Sequence, residues 1–549
     1  MPTERARGPM RLDDPDFPCA LLTPAQMAAA DRAAIADGTP GIELMEHAGD
    51  AVAREAAAML PDAGRVTILC GSGNNGGDGF VAARLLAQSG YAVTLGVLSR
   101  PRPSKDAATN KGDAAKGDAN TAAARWAGDV LPWREAIAHP ADLIVDALFG
   151  TGLNRALRDD AAAVVREINA SGVPVLAVDV PSGLDAETGL PVSPTAPPNT
   201  GGASLPVVRA MRTITFFRLK SGHLLNEGAK FCGELVLARI GIAESALDRV
   251  APPAARMEIT RPAVWINHLP RLADDTHKYA RGHAVVLSGP AHATGAARLA
   301  AHAALRSGAG VVSVAARPSA VLVNASHLTE IMVKRIASSD EIQAVFAEPR
   351  VRALVLGPGA GVTPETRDAI DRALATQGSV ILDADALTCL ANDPDLRARM
   401  RRRRAPGATV LTPHAGEFRR LYPDGDPGSL DTLRRCAADD NAVLVAKGPR
   451  TLIVAPDGRV AVSIDAPPTL ATAGSGDVLA GIIAGLTAQG MPGFEASMAA
   501  VWLHARAAHH VGLGLIASDL PHALPAVFQE LAIVAGRAVE AGASATQSS

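Results

Sequence analysis

Cysteine, aromatic residues and net charge are all scarce in this chain of 549 residues. The five cysteines are far apart and include no CxxC pair, so neither a disulfide framework nor a structural zinc site is indicated. Aromatic residues make up 3% of the chain, which disfavours a protein that binds single-stranded nucleic acid by stacking bases. A formal charge of −3 provides no overall field that would gather nucleic acid or an anionic membrane. Any anion site must therefore be local.

Long apolar runs are missing as well. The longest fall well short of the ~20 residues that a helix needs to cross a bilayer. The N-terminal sequence MPTERARGPMRLDDPDF has no apolar segment of the kind found in secretory signals. We therefore expect a cytoplasmic protein that has neither a membrane nor nucleic acid among its partners. Hydrophobic residues still reach 48%, beside 51 glycines and 39 prolines, a balance that fits an α/β enzyme with many tight connections.

The chain is long enough for two or more domains, at roughly 150 residues per domain. A Pro-rich polar stretch, APPAARMEITRPAV, interrupts the pattern at residues 251–264. We expect, in order, a flexible tail, a first domain, a linker and a second domain, at residues 1–20, 21–250, 251–264 and 265–549. Two segments resemble insertions or mobile loops, at residues 101–120 and 191–206.

Short β-branched runs alternate with Ala-rich helical segments in both halves. In the first half, strands are predicted at residues 66–70, 91–98, 143–148, 173–180, 212–216 and 234–240. In the second half, they are predicted at residues 284–287, 311–315, 353–356, 380–383, 409–411 and 442–446. Apolar runs of this length between helices predict parallel sheets that are covered on both faces.

A glycine-rich segment, GSGNNGGDGF, directly follows the first of these strands. Gly71, Gly73 and Gly76 satisfy GxGxxG, but the second strand ends in Ser99 and Arg100 and lacks the acidic residue that holds the ribose in NAD dehydrogenases. Glycines before a helix can still turn backbone amides toward an anion. From the residues alone, a structural turn in which Gly and Asn supply positive φ stays an alternative.

Two further strands of the first half carry an aspartate near their ends. Asp146 precedes FGTGLNRA, and Asp179 precedes PSGLDAETG. The carboxyl ends of parallel strands form the ligand crevice of an open sheet, so these polar segments should converge on one site with the glycine-rich loop. Each aspartate alone could instead cap a loop.

The motifs ELMEHAG, GNNGGDG, DALFGTGL, DVPSGLDAETG and TFFRLKSGHLL resemble those of the NAD(P)H-hydrate epimerase domain of bifunctional NAD(P)H-hydrate repair enzymes, a Rossmann-like three-layer domain. The resemblance covers about residues 20–242. It implies interconversion of the R and S forms of hydrated NADH or NADPH, with a bound potassium ion (K+). The implied potassium ligands are Asn75, Asp146 and Ser182, whose oxygens suit a hard cation. The implied hydrate contacts are Asn74, Asn75, Gly76, Gly77, Asp78, Gly150, Thr151, Gly152, Leu153, Asn154, Arg155, Ala156 and Asp179. Asp179 is the expected proton-transfer carboxylate.

The second half contains ATAGSGDVLAG at residues 471–481. Gly474, Ser475 and Gly476 precede an apolar helix and would expose amides to a phosphate. Asp477 beside them would be repelled by that phosphate, unless it takes a proton from a hydroxyl that attacks phosphorus. An ordinary residue of a first helical turn is the alternative.

With LGPGAG, LDADAL, LTPHAGEF and AKGPRT in this order, the second half is similar to the ADP- or ATP-dependent NAD(P)H-hydrate dehydratases, which have a ribokinase-like α/β fold. The resemblance covers about residues 265–535. It implies hydrate contacts at Ala296, Gly359, His414 and Asp477, with Asp477 catalytic. It implies nucleotide contacts at Lys447, Gly448, Pro449, Arg450, Thr451 and Gly476, with Mg2+ accompanying ADP or ATP.

The resulting hypothesis is a two-domain repair enzyme whose substrates are hydrated NADH or NADPH and a nucleotide. We also expect a homo-oligomer. A vitamin-precursor kinase fused to a ligand-binding module is the first alternative, and a noncatalytic scaffolding role for the N-terminal half is the second. The sequence does not choose between ADP and ATP, or between the two hydrates.

Overall fold

The computed structural model describes residues 8–98, 114–193 and 205–546. The chain divides into two compact units, Met1–Arg256 and Met257–Ser549. Most of the predicted insertions at 101–120 and 191–206 lies outside the described residues, although residues 114–120 belong to a helix.

The first unit has ten strands and eight helices among its described residues. The strands are β1 (Met10–Arg11), β2 (Ala20–Leu22), β3 (Arg65–Cys70), β4 (Ala92–Val97), β5 (Leu131–Pro132), β6 (Leu143–Ala147), β7 (Val175–Val178), β8 (Arg212–Phe216), β9 (Leu219–Lys220) and β10 (Glu234–Ala238). The helices are α1 (Pro24–Ala36), α2 (Gly41–Met59), α3 (Asn74–Gln88), α4 (Ala114–Ala124), α5 (Trp133–Ala138), α6 (Asp159–Ala170), α7 (Gly228–Cys232) and α8 (Ser245–Val250).

An eight-stranded sheet with the order β1-β10-β8-β7-β6-β3-β4-β5 forms the middle of the first unit. Its strands run parallel except for the edge strand β1. Alternate residues of β3 face opposite sides, because side chains along a strand alternate. Ile68 joins the apolar cluster of α1–α4 and α8, and Leu69 joins that of α5 and α6. The predicted α/β three-layer fold is therefore confirmed.

The order of these strands fixes where a ligand can bind. Strand β3 lies between β4 and β6. The strands that follow β3 in the chain are therefore added first on one side of it, as β4 and β5, and then on the other side, as β6 and β7. The carboxyl ends of β3 and β6 consequently border a topological switch point, where open α/β sheets bind ligands. The small parallel pair of β2 and β9 brings Lys220 into this unit's interior, where its side chain is 1% exposed.

The second unit also has ten strands, and twelve helices, within the part of the chain that is described. The strands are β11 (Met257–Ile259), β12 (His283–Leu287), β13 (Val311–Ala316), β14 (Met332–Arg335), β15 (Val351–Leu356), β16 (Ser379–Leu382), β17 (Thr409–Leu411), β18 (Val443–Ala446), β19 (Leu452–Val454) and β20 (Val460–Val462). The helices are α9 (Pro262–Trp265), α10 (Gly295–Arg306), α11 (Pro318–Ala325), α12 (Ser339–Phe346), α13 (Pro364–Leu374), α14 (Asp385–Asn392), α15 (Pro394–Arg402), α16 (Ala415–Leu421), α17 (Leu430–Asp440), α18 (Ser475–Ala488), α19 (Gly493–Val511) and α20 (Asp519–Thr546).

Within the second unit the strand order is β14-β13-β12-β15-β16-β17-β18-β19-β20-β11. Strands β12 to β18 run parallel, and β19 is antiparallel to both of its neighbours. Strand β12 lies between β13 and β15, which places a second switch point there. Helices α10, α18 and α19 supply much of the largest apolar cluster. This architecture agrees with the predicted ribokinase-like α/β class.

Two of the expected boundaries need correction. The residues from Met10 to Ala20 do not form a loose tail, because Met10–Arg11 extend the sheet by pairing with β10 and Phe17 is 2% exposed. The expected linker at 251–264 contains β11, which pairs with β20, and the start of α9. Apolar side chains of both segments, such as Phe17 and Ile259, are buried. The polar and Pro-rich composition of the segments gave no sign of this burial.

Candidate active sites

The glycine-rich loop of the first unit joins β3 to α3 at the switch point. A Cβ on Gly71 would lie 1.9 Å from the carbonyl oxygen of Leu148, so only glycine allows the loop to pass this close to the segment after β6. Helix α3 begins at Asn74 after Gly73, which provides no side-chain cap. The first amides of a helix have no intrahelical partner. Those of α3 are thus available to an anionic ligand at this edge.

Asn75 stands out in the first turn of α3. Its side-chain oxygen and nitrogen are both buried without a hydrogen-bond partner. A Cβ built on Gly150 would lie 3.1 Å from Asn75 Oδ1 and 3.3 Å from Asp179 Oδ2, so the two side chains converge on Gly150. Buried polar groups are nearly always paired, and an unpaired amide in this position indicates a ligand site.

Asp146 and Ser182 form a buried pair beside this point, and both are 0% exposed. Ser182 Oγ donates to Asp146 Oδ1 (2.7 Å), and Ser182 N donates to Asp146 Oδ2 (2.8 Å). Phe149 N donates to Ser182 Oγ (2.9 Å), which ties the pair to the segment that reaches Gly150. Burial raises the pKa of Asp146 to about 6, although the hydrogen bonds from Ser182 lower it. Two of the predicted potassium ligands therefore touch, and the third, Asn75, reaches the same segment.

Asp179 directly follows β7 and adopts φ +64°, a conformation that costs a non-glycine residue energy and is typical of functional sites. Two backbone hydrogen bonds hold it there. Asp179 N donates to the carbonyl of Ile214 (2.7 Å), and His223 Nε2 donates to the carbonyl of Asp179 (2.8 Å). The carboxylate is anchored on one side only, since Oδ1 accepts from Lys220 Nζ (2.6 Å) and Thr215 Oγ1 (2.9 Å). Oδ2 is the oxygen that faces Gly150.

The pKa values of the three carboxyls around Lys220 are shifted in different directions. Burial opposes ionisation of Asp179, but the charge and hydrogen bond of Lys220, with smaller effects of His223 and Thr215, together outweigh it, so the pKa of Asp179 lies below its ordinary value. Burial and the charges of Asp179 and Asp31 raise the pKa of Asp78 well above its usual range. Burial also raises the pKa of Asp31 to about 6. One ionised carboxylate thus lies among two carboxyls that hold protons more readily.

The remaining predicted hydrate contacts divide by exposure. Gly76, Gly77 and Asp78 are buried in α3. Asn74, Gly152, Asn154 and Arg155 are exposed, and Thr151, Leu153 and Ala156 are partly buried. The segment begins with a turn in which Leu153 N donates to the carbonyl of Gly150 (3.2 Å). Gly150 is therefore the member of this segment that the structure brings to Asn75 and Asp179.

Sequence reasoning assigned no role to Lys220, Thr215, His223 or Asp31. The available signal was polar residues inside an apolar stretch, because KSGH lies between TFFRL and LL at residues 215–225. Such a pattern marks these residues as unusual, but it does not predict which residue each of them contacts.

In the second unit, α18 begins at Ser475 after Gly474, which has φ +88° and no side-chain cap. A Cβ on Gly476 would lie 3.2 Å from Lys447 Nζ and 3.8 Å from Asp383 Oδ2. The amides at the start of α18 and the Lys447 ammonium consequently border one space. A phosphate would find both a helix N-terminus and a cation there.

Lys447 follows β18 and is held by two carboxylates. Its Nζ lies 2.8 Å from Asp383 Oδ1 and 3.9 Å from Glu417 Oε2. His414 caps α16, because its Nδ1 accepts from Gly416 N (2.9 Å) and Glu417 Oε2 accepts from His414 N (2.9 Å). His414 Nε2 lies 3.5 Å from Glu417 Oε1. Asp383 and Glu417 were not assigned roles from the sequence, although both lie in motifs that carried the resemblance.

Asp477 lies in the first turn of α18 beside this group. Burial and the charge of Asp383 raise its pKa to about 6, with Lys447 opposing the shift and Asp385 and Glu417 adding to it. A carboxylate with a pKa near neutrality accepts a proton more readily than an ordinary aspartate. The predicted general base therefore has the electrostatics that its role requires.

Two other predicted hydrate contacts meet near the end of β15. A Cβ on Gly359, which has φ +64°, would lie 3.5 Å from Ala296 Cβ. Gly361 N in the same segment donates to Asp385 Oδ2 (2.8 Å), and the charge of Asp385 acts on Asp477. This links the segment electrostatically to Asp477.

Residues 447–451, the predicted nucleotide segment, form the turn from β18 to β19. Gly448 and Pro449 are exposed, and Arg450 is partly buried. Thr451 is 8% exposed, and its hydroxyl donates to the Gly448 carbonyl (3.3 Å). Lys447 is thus the side chain of this segment that reaches the start of α18.

The described residues contain neither a cluster of metal-binding side chains nor a helix that could span a membrane. Within residues 8–98, 114–193 and 205–546, no group of three or more His, Cys, Asp or Glu side chains is arranged to hold a metal ion. Over the same residues, no helix combines the length and apolarity needed to span a membrane.

Comparison with known proteins gives two family matches. Residues 41–222 match the YjeF-related protein N-terminus family, and residues 284–528 match the NAD(P)H-hydrate dehydratase family. Three relatives named bifunctional NAD(P)H-hydrate repair enzyme are similar over most of the chain. That from Coxiella burnetii is 34% identical and covers 90% of this chain and 97% of its own. That from Salinibacter ruber is 36% identical (93% and 96%), and that from Escherichia coli is 32% identical (87% and 88%).

Among solved structures, an ADP/ATP-dependent NAD(P)H-hydrate dehydratase from Bacillus subtilis, co-crystallised with ATP and Mg2+, is 28% identical. It covers 50% of this chain and 98% of its own, with a TM-score of 0.43. The relatives confirm the resemblance that the motifs of the two halves indicated.

Proposed function

This chain belongs to the family of bifunctional NAD(P)H-hydrate repair enzymes, and we propose that it restores hydrated NADH and NADPH in two steps. The first unit epimerises the R and S hydrates. The second unit dehydrates the S hydrate with a nucleotide as phosphoryl donor. The observation that carries this proposal is that each unit has a carboxylate, Asp179 or Asp477, beside a helix N-terminus: Asp179 converges on Gly150 with Asn75 of the first turn of α3, and Asp477 lies in the first turn of α18.

For epimerisation, the hydrated ring carbon must lose its hydroxyl and regain it on the other face. The leaving hydroxyl takes up a proton and departs as water, while the electron pair of the adjacent ring nitrogen forms the C=N bond. Water then adds to the opposite face and releases a proton. Asp179 Oδ2 is the acceptor we assign to this step, because its partner oxygen is already engaged by Lys220 and Thr215. The ionised carboxylate also stabilises the positive ring.

For dehydration, the ring hydroxyl attacks the terminal phosphorus of the nucleotide, the bond from that phosphorus to the bridging oxygen breaks, and AMP leaves from ADP or ADP leaves from ATP. Asp477 accepts the hydroxyl proton, and the amides at Gly474–Gly476 with Lys447 stabilise the charge on the transferred group. Phosphate then leaves together with a proton from the neighbouring ring carbon, which restores the double bond. The carboxylates of Asp383 and Glu417 are hard oxygen donors that suit Mg2+. Bound Mg2+ would neutralise phosphate charge.

We also propose that the first unit holds potassium through Asn75, Asp146 and Ser182. The unpaired buried amide of Asn75 supports this, as does the buried Asp146 carboxyl, because a cation would satisfy the former and favour ionisation of the latter. The ion would hold the segment around Gly150 in place for the hydrate.

The finer assignments follow from the same reasoning. The epimerase activity is assigned to the first unit, Met1–Arg256, and the dehydratase activity to the second, Met257–Ser549. A cytoplasmic location fits the unpaired buried thiols of Cys70, Cys389 and Cys436. A homo-oligomeric state stays a prediction, which sedimentation of the purified protein would measure.

The test is incubation of the purified protein with a mixture of R and S hydrates, with and without ADP or ATP. Absorbance of the restored dihydronicotinamide should rise only with nucleotide, and the whole mixture should be converted faster than spontaneous epimerisation allows. Release of a stable phosphorylated product without dihydronicotinamide would instead indicate a small-alcohol kinase. Conversion of the S form alone would remove the epimerase assignment.

A further inference from the structure

Lys220 is a buried cation whose place in the reaction is unassigned. Its side chain is 1% exposed, and a buried charge is costly unless it is paired and hydrogen-bonded. Its Nζ lies 2.6 Å from Asp179 Oδ1, 2.8 Å from Thr215 Oγ1 and 3.3 Å from the carbonyl of Phe216. These three acceptors engage all three N–H groups of an ammonium, so Lys220 has no lone pair for nucleophilic attack.

The hydrogen bonds fix the orientation of the Asp179 carboxylate. Thr215 Oγ1 accepts from Lys220 and donates to Asp179 Oδ1, so Oδ1 is doubly engaged. Rotation of the carboxylate would break both contacts. Only Oδ2 faces Gly150 and the unpaired amide of Asn75.

His223 makes hydrogen bonds to the backbones of both Lys220 and Asp179. Its Nδ1 accepts from Lys220 N (3.1 Å), and its Nε2 donates to the Asp179 carbonyl (2.8 Å), which is the pattern of a neutral imidazole. Burial, together with the nearby Lys220 ammonium, lowers the pKa of His223 to about 4. His223 therefore positions Asp179 and Lys220 without adding charge.

Three carboxyls share this single buried ammonium. Asp179 on the segment after β7 touches it, while Asp78 on α3 and Asp31 on α1 are near enough to feel its charge. These two carboxyls, the Lys220 ammonium and the neutral imidazole of His223 are the titratable groups that lie near Asp179 on the elements packed around it.

We propose that Lys220 is a positioning residue of the epimerase site, which together with Thr215 anchors Asp179 Oδ1 so that Oδ2 is the oxygen that faces the hydrate. The proposal rests on the proposed epimerase function.

Replacing Lys220 with Met removes the ammonium and leaves the burial. The pKa of Asp179 should then rise, so the acidic limb of the pH profile for epimerisation should move to higher pH. Each unit of that movement lowers the rate tenfold on the acidic side, and we expect at least about a tenfold loss at pH 6 with recovery at higher pH. Lys220→Arg keeps the charge and should keep the limb near its wild-type position. Lys230→Met, at a lysine whose side chain is 71% exposed, is the matched control and should match the wild type.

A direct measurement separates this proposal from the proposed function. The protein is labelled with ¹³C at aspartate carboxyls, and the signal that Asp179→Asn removes is titrated in wild type and Lys220→Met without substrate. An unchanged titration would overturn the role of Lys220. A shifted titration with an unchanged epimerisation profile would support the Lys220–Asp179 coupling and remove Asp179 as the base, so the proposed function would fail instead.

Thr215→Val covers the case in which Lys220→Met does not fold. It deletes one donor to Oδ1 and keeps the ammonium, so the same titration should shift upward by less and epimerisation should slow. Thermal unfolding verifies that the variant is native. A folded Thr215→Val protein with wild-type titration and rate would contradict the anchoring argument.

Discussion

Replacement of Asp477 by Asn tests the chemistry of the second unit most directly. Because burial and Asp383 raise the pKa of Asp477 to about 6, the wild-type base is almost fully ionised at pH 8 and only about 10% ionised at pH 5. Dehydration should therefore fall about tenfold between these values. Asp477→Asn should lower the rate at least about 10²-fold, the usual contribution of a positioned base, and should abolish this acidic limb.

Nucleotide binding by the same variant should change little or become tighter. A unit charge removed at about 6 Å changes an interaction by roughly 3 kcal/mol at an effective dielectric of about 20, and this is an upper bound because Mg2+ and salt screen it. Lys447 keeps its contact with Asp383, so the cation next to Gly476 is retained. We expect affinity between wild type and about tenfold tighter.

The assay pairs nucleotide titration with single-turnover dehydration of the S hydrate across pH 5–8. Asp431→Asn is the matched control, since Asp431 also lies in a first helical turn but its side chain is 97% exposed. A variant that binds nucleotide far more weakly, yet turns over the bound complex at the normal rate, would show that Asp477 positions the nucleotide or its metal. The base mechanism would then be wrong.

Four further outcomes are expected. Asp179→Asn should abolish epimerisation and leave dehydration of the S hydrate unchanged, as measured with each pure epimer. Asp146→Ala should weaken hydrate binding and remove its dependence on potassium, and a crystal soaked in a heavier monovalent cation should show an anomalous peak next to Asp146 only in the wild type. Gly150→Ala should weaken hydrate binding with the fold intact, because its Cβ would lie 3.1 Å from Asn75 Oδ1 and 3.3 Å from Asp179 Oδ2. Binding is measured by isothermal titration, and Gly117→Ala is the control, because a Cβ on Gly117 would have no atom within 4 Å. Epimerisation should keep its rate at a pH where dehydration has already fallen, since the pKa of Asp179 is lowered and that of Asp477 is raised.

The central strands could be predicted because they are apolar runs bounded by glycine-rich or polar segments. All twelve predicted strands are present within two residues of the expected bounds. Eight short strands, β1, β2, β5, β9, β11, β14, β19 and β20, were missed, since two to four residues carry little measurable period. Pairing with other strands, such as that of Met10 with Leu237, is what makes them strands.

The candidate sites divide in the same way. Asp179 directly follows β7, Asp146 lies near the end of β6, and Asn75 and Asp477 lie in the first turns of α3 and α18. The rule that ligands bind at the carboxyl ends of parallel strands favours such positions, and the roles of these residues stay predictions. Lys220 was not predictable, because its contact with Asp179 spans 41 positions and depends on how β9 pairs with β2. The positive φ of Asp179 was not predictable either, since only tertiary hydrogen bonds hold an aspartate there.

The two units place their lysines differently, and the difference fits the two reactions. In the first unit Lys220 contacts the proposed catalytic carboxylate itself, which keeps Asp179 ionised while the ring becomes positive. In the second unit Lys447 contacts Asp383, a neighbour of the proposed base Asp477, and the pKa of Asp477 is raised. A base that must remove a proton from an alcohol gains from a higher pKa, whereas a carboxylate that faces a cationic ring gains from a lower one. The position of a lysine relative to each buried aspartate therefore contributes to the opposite directions in which the pKa values of Asp179 and Asp477 are shifted.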